Sequence, residues 1–320
     1  MLSTRRTRAS VVAALALLCL GATLAASASC PAAPACTLST DCGSACNATQ
    51  ACLATIVSCQ CFGEMANQLV LLIPFDPTKS LALRTTQLEY KEIVSGSDDT
   101  ASNSWATNDD LKKIAALRLP SSITDVVIRG GTSLVGLNKS VVANVAFDES
   151  FLSIQTSLTK IMLENLNLTA SMANLAANLP QNLVSMSFQN NLLKEFPASL
   201  SAQKDCQYLY LGYNNIAEIN PSHEMSALTE LALQVNEVSS FTAYFPKLTF
   251  LDLANNQLKG VPETISKHES LTTLHLGGNS IPAFVQSHVA QSIKTLTLYR
   301  NHMTKFDAIL PNLEYLYRGG

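Results

Sequence analysis

Residues 248–258 read Leu248-Thr249-Phe250-Leu251-Asp252-Leu253-Ala254-Asn255-Asn256-Gln257-Leu258. This segment places leucine at positions 1, 4, 6 and 11 and asparagine at position 9, and Val261 adds an apolar residue at position 14. The same pattern recurs at intervals of 20 to 23 residues and keeps the asparagine in every copy. A short period of this kind predicts a coiling chain with one copy per turn. The copies begin at Leu183, Cys206, Leu228, Leu248, Leu271 and Ile293.

The spacing within one copy predicts its local structure. Positions 4 and 6 are apolar and alternate with polar neighbours, which indicates a short strand with one face turned inward. Strands of successive copies should therefore stack in parallel into one sheet. The asparagine side chain both donates and accepts hydrogen bonds, so stacked asparagines predict a ladder that satisfies the backbone in the bend. Pro197 and Pro262, just after position 14, favour an extended return segment over a long helix.

The pattern weakens upstream of the first copy. Residues 158–168 fit it except for Leu166 at the asparagine position, and residues 142–152 and 123–128 fit it poorly. We interpret all three as degenerate coils, and residues 69–73 as a short buried strand in a segment without repeats. The predicted organisation is a signal peptide (1–28), a Cys-rich disulfide segment (29–61), an N-terminal cap (62–110), degenerate repeats (111–182) and regular repeats (183–320), the last of them truncated.

The first 28 residues have the three parts of a secretory signal peptide. Arg5, Arg6 and Arg8 precede an apolar run over residues 11–26, and small residues at 26–28 provide a cleavage site. A signal anchor is the alternative, but the run is short for one. We therefore expect a secreted, extracellular protein.

The distribution of cysteine agrees with export. Seven of the nine cysteines lie close together, which in an exported chain predicts a disulfide framework. Zinc is the competing interpretation, and it is weakened because no Cys-x-x-Cys pair occurs. The pairing is open, and Cys206, at position 1 of a repeat, is expected to be a buried thiol. The cysteines of the predicted framework are Cys30, Cys36, Cys42, Cys46, Cys52, Cys59 and Cys61.

The leucine–asparagine frame over 183–303 resembles the extracellular leucine-rich-repeat family. The order of signal peptide, Cys-rich segment and repeats is similar to the ectodomains of receptor-like proteins and receptor kinases. The resemblance implies an α/β solenoid: a right-handed coil with a parallel β-sheet on its concave face, a mostly irregular or short-helical convex side and a disulfide-rich cap. It also implies that the concave face binds a protein, peptide or glycan. Two functions fit: a secreted non-catalytic binding module, or the ectodomain of a truncated membrane receptor or receptor-like kinase.

Composition and motifs argue against several other classes of function. The net charge is −3 and no basic cluster occurs outside the N-terminus, so we expect no nucleic-acid partner. His223-Glu224 and His268-Glu269 lack the second histidine of a zinc-protease motif, and neither a nucleophile elbow nor a phosphate-binding loop occurs. We expect no catalysis, cofactor or metal. Because Leu313 and Leu316 begin another copy without a following cap, we expect self-association through that end.

Candidate ligand-binding residues follow from positions 3, 5 and 8, which should face outward from the concave sheet. Exposed aromatic residues grouped on one surface suggest recognition, although cross-strand packing that stiffens the sheet is the alternative. Tripeptides of the Asn-x-Ser/Thr type predict glycosylation at Asn47, Asn138 and Asn167. The predicted ligand-binding residues are Tyr208, Tyr210, Tyr213 and Phe250, followed by Asp252, His275, Tyr299 and Arg300.

Overall fold

The computed structural model describes residues 37–38, 52–54, 59–61, 67–73, 113–130, 142–220 and 225–319. Strands dominate these ranges, and one α-helix, α1 (Met172–Ala177), and three short 3-10 helices (Ala198–Ala202, Glu263–Lys267 and Gln286–His288) accompany them. The strands are β1 (Thr37–Leu38), β2 (Cys52–Ala54), β3 (Cys59–Cys61), β4 (Gln68–Ile73), β5 (Lys113–Ile114), β6 (Asp125–Gly130), β7 (Ala146–Phe147), β8 (Lys160–Glu164), β9 (Ser185–Ser187), β10 (Tyr208–Tyr210), β11 (Glu218–Ile219), β12 (Glu230–Ala232), β13 (Ser240–Phe241), β14 (Phe250–Asp252), β15 (Thr273–His275), β16 (Ala283–Val285), β17 (Thr295–Thr297), β18 (Lys305–Asp307) and β19 (Tyr315–Tyr317).

One ten-stranded sheet, called the concave sheet here, extends from residue 68 to residue 317. Its order is β4-β6-β8-β9-β10-β12-β14-β15-β17-β19, and every neighbouring pair is parallel. From β9 onward, paired residues lie 20 to 23 residues apart, as Tyr208, Glu230 and Phe250 do. The repeat therefore equals one coil, and each coil contributes one strand. The opposite side carries the short parallel pairs β11–β13 and β16–β18 and the short helices.

The apolar positions of the repeat form one continuous core. Position 4 of successive coils supplies Leu209, Leu231, Leu251 and Leu274, and none of these side chains is exposed. The phenylalanines at position 14, such as Phe284, fill the far side of the coil. Burying one such side chain contributes about 1.5–3 kcal/mol, and neighbouring coils bury each other's leucines. The solenoid predicted from the sequence is thus confirmed.

The asparagine at position 9 connects each coil to the one before it. Asn236 Nδ2 donates to the backbone oxygens of Leu211 in the preceding coil and Leu233 in its own coil, both at 3.0 Å. Asn236 Oδ1 accepts from the Ile216 amide at 3.0 Å. Buried backbone groups in the bend are therefore satisfied by a side chain. Equivalent bonds are made by Asn191, Asn214, Asn256, Asn279 and Asn301.

The residue just before this asparagine, at position 8, is left-handed in every regular coil. Val235 has φ 55° and Tyr213 has φ 59°, although such values favour Gly and Asn. The left-handed residue turns the chain inward, which lets the following asparagine side chain reach into the bend. Position 8 is therefore a turn position rather than a strand position. Its occupants in the regular coils are Asn190, Tyr213, Val235, Asn255, Gly278 and Arg300.

The interpretation of residues 142–152 as a degenerate coil is wrong. Within this stretch β7 pairs with β5 on the side opposite the concave sheet, while β6 pairs directly with β8. The coil that starts at β6 is 35 residues long, as the pairing of Asp125 with Lys160 shows. The apolar residues of 142–152 therefore belong to the return side of this long coil. Leu166 occupies the asparagine position of the next coil, and its backbone forms a bridge with Ala143 in place of the asparagine hydrogen bonds.

The concave sheet also extends into the segment expected to be a cap. The predicted strand over 69–73 exists as β4, but it pairs in parallel with β6 and is the first strand of the concave sheet. A single apolar run carries no repeat that would have revealed this pairing. The sheet therefore begins before residue 111, the start of the repeats that the sequence predicts.

Part of the N-terminal interpretation lies outside the described residues. These undescribed positions include the signal peptide, Asn47, Asn138 and four of the clustered cysteines, Cys30, Cys36, Cys42 and Cys46. Cys52, Cys59 and Cys61 lie on the antiparallel pair β2–β3, where Cys52 is opposite Cys61. Disulfide bonds therefore stay a prediction. Self-association through the C-terminal end also stays a prediction. Leu316 of the last strand, β19, is 40% exposed, whereas the equivalent Leu296 of β17 is buried.

The left-handed turn makes a testable prediction at Val235. A β-branched residue at positive φ is strained, and Asn occupies the same position in two other regular coils. Val235→Asn should therefore raise the free energy of unfolding by about 1 kcal/mol, measured by urea denaturation. Val184→Asn is the matched control, because Val184 lacks the left-handed conformation and should not gain stability. Equal effects at the two positions would contradict the argument.

Cys206 provides a second prediction. Its side chain is fully buried and free, and burial raises the pKa of the thiol to about 12. Iodoacetamide should therefore leave Cys206 unlabelled in the native protein and should label it in denaturant without reductant, as mass spectrometry would show. A tryptic peptide that links Cys206 to any cysteine of 30–61 would overturn this assignment.

Candidate functional site

The candidate site lies on the outer side of the concave sheet, at strands β10, β12, β14 and β15. In-register pairing aligns Tyr208, Glu230 and Phe250 in one row, at position 3. A second row, at position 5, aligns Tyr210, Ala232, Asp252 and His275. Neighbouring strands lie about 4.8 Å apart, so residues of adjacent coils are within contact distance. The aromatic and acidic side chains predicted from the sequence are thus brought together.

A hydrogen bond connects the two rows. Tyr210 Oη donates to Glu230 Oε2 at 3.0 Å. Burial, followed by the neighbouring Glu230 carboxylate, raises the pKa of Tyr210 above its usual value. The phenol therefore stays protonated at neutral pH, and its hydrogen is committed to Glu230. This hydrogen bond fixes one side of the candidate site.

The next coils fix the other side of the site. The Phe250 and His275 rings meet edge to face at 5.4 Å, and His275 Nδ1 lies 3.1 Å from Thr297 Oγ1. Asp252 Oδ1 accepts from the Ala254 amide at 2.9 Å. Burial raises the pKa of Asp252, while the Ala254 hydrogen bond and then His275 act in the opposite direction. Asp252 therefore places a poorly solvated carboxyl group on the outer side of the concave sheet.

Position 7 also faces outward, which the sequence analysis missed except at Tyr299. Side chains at this position lean over a glycine of the preceding coil. A Cβ added at Gly212 would lie 2.7 Å from Gln234, and one added at Gly277 would lie 2.5 Å from Tyr299. The glycines therefore make room for these larger side chains. The sequence contains a signal for this arrangement: at position 7, a glycine in one coil is followed by a bulky residue in the next.

A chain of polar contacts leads from Gln234 toward the first strands. Gln234 Nε2 approaches Gln189 Oε1 at 3.5 Å, and Gln189 Nε2 approaches Ser187 Oγ at 3.5 Å. Ser187 in turn donates a short 2.5 Å bond to Glu164. Burial is the main cause that raises the pKa of Glu164. The polar part of the concave face is therefore continuous with its aromatic part.

The remaining predicted residues lie apart from this group. Tyr213 is 52% exposed at the left-handed turn that follows β10. Tyr299 lies over Gly277, and Arg300 occupies the turn after β17, so both are displaced toward the C-terminal coils. The structure therefore groups Tyr208, Tyr210, Phe250, Asp252 and His275, and it places Tyr213, Tyr299 and Arg300 at the periphery.

The predicted glycan acceptor Asn167 lies in a separate groove beside β7. This groove has a volume of about 1260 Å³, and its lining includes Asn144, Leu192 and Glu237. Asn167 Nδ2 donates to Asn144 Oδ1 at 2.9 Å, and Asn167 Oδ1 accepts from Thr169 Oγ1 at 2.7 Å. Glycosylation at this position stays a prediction.

Within the ranges that the structure describes, His, Cys, Asp and Glu side chains form no group of three or more that would hold a metal ion. The ring of His268 is occupied by the backbone: Nδ1 bonds to the Thr264 oxygen at 2.7 Å, and Nε2 accepts from the Phe245 amide at 3.2 Å. No helix in the described part of the chain combines the length and apolar character needed to cross a membrane.

Comparisons with known proteins agree with this architecture. The model of the Leucine Rich Repeat family matches residues 247–268. Podocan-like protein 1 of Mus musculus is 33% identical over 132 residues, which cover 40% of this chain and 20% of that protein. Disease resistance protein RPS5 of Arabidopsis thaliana is 47% identical over 68 residues, which cover 20% of this chain and 8% of that protein. The chain thus spans a fifth or less of the length of these relatives.

A solved structure supports the same fold. The structure of a leucine-rich-repeat protein of Leptospira interrogans superposes with a TM-score of 0.52 at 22% identity, covering 72% of this chain and 58% of that one. The chain is a leucine-rich-repeat protein, and its described residues form a leucine-rich-repeat solenoid. Domains of this class are typically protein-interaction modules and are generally non-catalytic.

Proposed function

We propose that this protein is a secreted, non-catalytic binding module whose concave face holds a peptide or protein segment. The main support is a group of aromatic side chains at outward strand positions, formed by Tyr208, Tyr210 and Phe250. Aromatic side chains with few rotatable bonds supply large contact area at low entropic cost, and they are enriched among residues that dominate binding energy.

The rigidity of the site supports the proposal. Tyr210 is held by its bond to Glu230, and Phe250 is held by edge contact with His275. Side chains that are already ordered lose less conformational freedom on binding, so more of the contact energy appears as affinity. A sheet that presents fixed side chains in two rows suits an extended segment lying across the strands.

The extracellular location is part of the same proposal. Its support is the signal-like sequence at residues 1–28 and the seven clustered cysteines. The ectodomain of a membrane receptor would use the same face in the same way. The chain spans only a fraction of its relatives' length. The proposal therefore also covers this segment as the binding part of a larger protein.

Selection of binders from a displayed peptide library tests the proposal. Peptides selected on the folded protein should lose at least tenfold in affinity, measured by calorimetry, when Tyr210 or Phe250 is changed to Ala, because each supplies buried aromatic contact. Both variants should stay folded with a cooperative unfolding transition, because neither side chain belongs to the buried core. The control is Tyr244→Ala, which removes an exposed tyrosine outside the concave sheet and should not affect binding. Selected peptides that bind both concave variants like the wild type would refute the proposed site.

A further inference from the structure

A column of mainly buried residues lies on the return side of the coils, three residues before the start of each repeat. From Gln203 onward, each member accepts a backbone hydrogen bond from the first residue of the repeat that follows, as His268 does from Leu271. His268 is 1% exposed. Histidine is the side chain whose charge ordinarily changes between about pH 5 and 8, so a buried histidine can make a core contact depend on pH. Other buried members of the column include Met225, Phe245 and Ala290.

Both ring nitrogens of His268 are bonded to the backbone. Nδ1 lies 2.7 Å from the Thr264 oxygen, and Nε2 lies 3.2 Å from the Phe245 nitrogen. A carbonyl oxygen only accepts a hydrogen bond and a backbone amide only donates one, so the ring is neutral and carries its hydrogen on Nδ1. Thr264 belongs to the same coil as His268, whereas Phe245 belongs to the preceding coil, which contributes β12. The ring therefore joins two coils.

The protonated ring cannot make this pair of bonds. An imidazolium carries a hydrogen on each nitrogen, so its Nε2 would meet the Phe245 amide donor to donor. Phe245 is fully buried, and the ring is the acceptor that its amide uses. A buried donor that loses its acceptor costs free energy. Because the Phe245 oxygen accepts from the Leu248 amide at 3.1 Å, the change affects the turn that leads into β14.

Burial opposes a positive charge on the ring. It lowers the pKa of His268, while the hydrogen bond to the Thr264 oxygen acts in the opposite direction. The rings of Tyr244 and Phe241 lie 5.2 Å and 6.4 Å from the imidazole. In the described part of the chain, no salt bridge or hydrogen bond joins His268 to an ionisable side chain. The ionisable side chains on the elements packed around it are Tyr244 and Lys247 in the preceding coil, Glu263, Lys267 and Glu269 in its own coil, and His288 in the following one.

We propose that His268 is a pH-sensitive contact between two coils. While its ring is neutral, the contact holds the coils of β12 and β14 together on their return side. When the ring becomes protonated, it releases the Phe245 amide and the return side loosens at this point. The inference is independent of the proposed function, because it concerns the return side of the coils and not the concave sheet.

The direction of the pH effect follows from proton uptake. In the unfolded chain His268 titrates at its ordinary pKa of 6.5, whereas folding lowers that pKa. Above pH 6.5 the ring is mostly neutral in both states, and the contact contributes fully to stability. As the pH falls further, the unfolded chain takes up a proton that the folded chain does not. The unfolding equilibrium constant therefore rises by up to about tenfold per pH unit until the lowered pKa is reached.

His268→Gln tests the contact, because glutamine can accept from Phe245 through Oε1 and donate to Thr264 through Nε2 without titrating. Gln203 already occupies the equivalent position after the first 3-10 helix, with φ −79° and ψ 83° against −84° and 79° at His268. Between about pH 7.5 and about pH 5.5, the unfolding constant from urea denaturation should rise at least about threefold more in the wild type than in His268→Gln. His302→Gln, the same change at an exposed histidine, should keep the wild-type pH dependence. Equal pH dependence in the wild type and His268→Gln would overturn the inference.

Nitrogen NMR of the wild-type protein gives a second readout that needs no variant. At neutral pH the His268 ring should carry a hydrogen on Nδ1 and none on Nε2. As the ring becomes protonated, the protection factor of the Phe245 amide, corrected for the intrinsic pH dependence of exchange, should fall at least about tenfold. Protection of the Leu211 amide, which donates to the Ala232 oxygen in the concave sheet, should fall less. A hydrogen on Nε2 at neutral pH, or unchanged protection of Phe245 after the ring has titrated, would contradict the proposed contact.

Discussion

The asparagine at position 9 is the interaction on which the rest of the solenoid depends. Its amide group reaches the backbone of two coils at once, and the Leu211 oxygen shows the result: it accepts from Asn214 at 2.9 Å and from Asn236 at 3.0 Å. The Ile216 amide, in contrast, has Asn236 of the next coil as its partner. Each coil therefore completes the hydrogen bonding of the coil before it. This nearest-neighbour dependence is the physical basis of a one-dimensional repeat fold.

The register that the ladder imposes also builds the candidate site. Because every coil enters its strand in the same phase, side chains from residues far apart in sequence, such as Tyr210, Asp252 and His275, lie in one row. The coil leaves little freedom to rearrange them. The chemical character of the concave face can then vary only through its outward residues. The small residues Gly212, Ala232 and Gly277 leave space on that face for larger neighbouring side chains.

Much of this structure follows from the sequence. The apolar spacing predicted the core and the strands, and the asparagines predicted the ladder, because both depend on positions that repeat. Outward positions 3 and 5 followed from strand alternation, which correctly grouped Tyr208, Tyr210 and Phe250. The thiol at Cys206 was placed correctly in the core, because a repeat position dictates burial regardless of the residue that fills it.

What the sequence did not predict depends on backbone conformation or on contacts without periodicity. Position 8 is filled by residues as different as Val235 and Gly278, so composition concealed its left-handed backbone. The strand β4 pairs with β6 across a long stretch of chain that has no repeat. Residues 142–152 matched the pattern weakly by hydrophobicity alone, and only the pairing of β7 with β5 reveals their place on the return side. The contact between Gln234 and Gln189, two coils apart, depends on how the two side chains orient and on no repeat position.

The central claim is that the position-9 asparagine supports the backbone of the preceding coil. Amide hydrogen exchange at Ile216, combined with urea denaturation, tests it in Asn236→Ala. Asn215→Ala is the control, because Asn215 is exposed and bonds to Glu237. Loss of the sole partner of a buried amide should cost about 2 kcal/mol and should speed exchange at Ile216 at least tenfold in Asn236→Ala alone. Unchanged protection of Ile216 with unchanged stability would contradict the account.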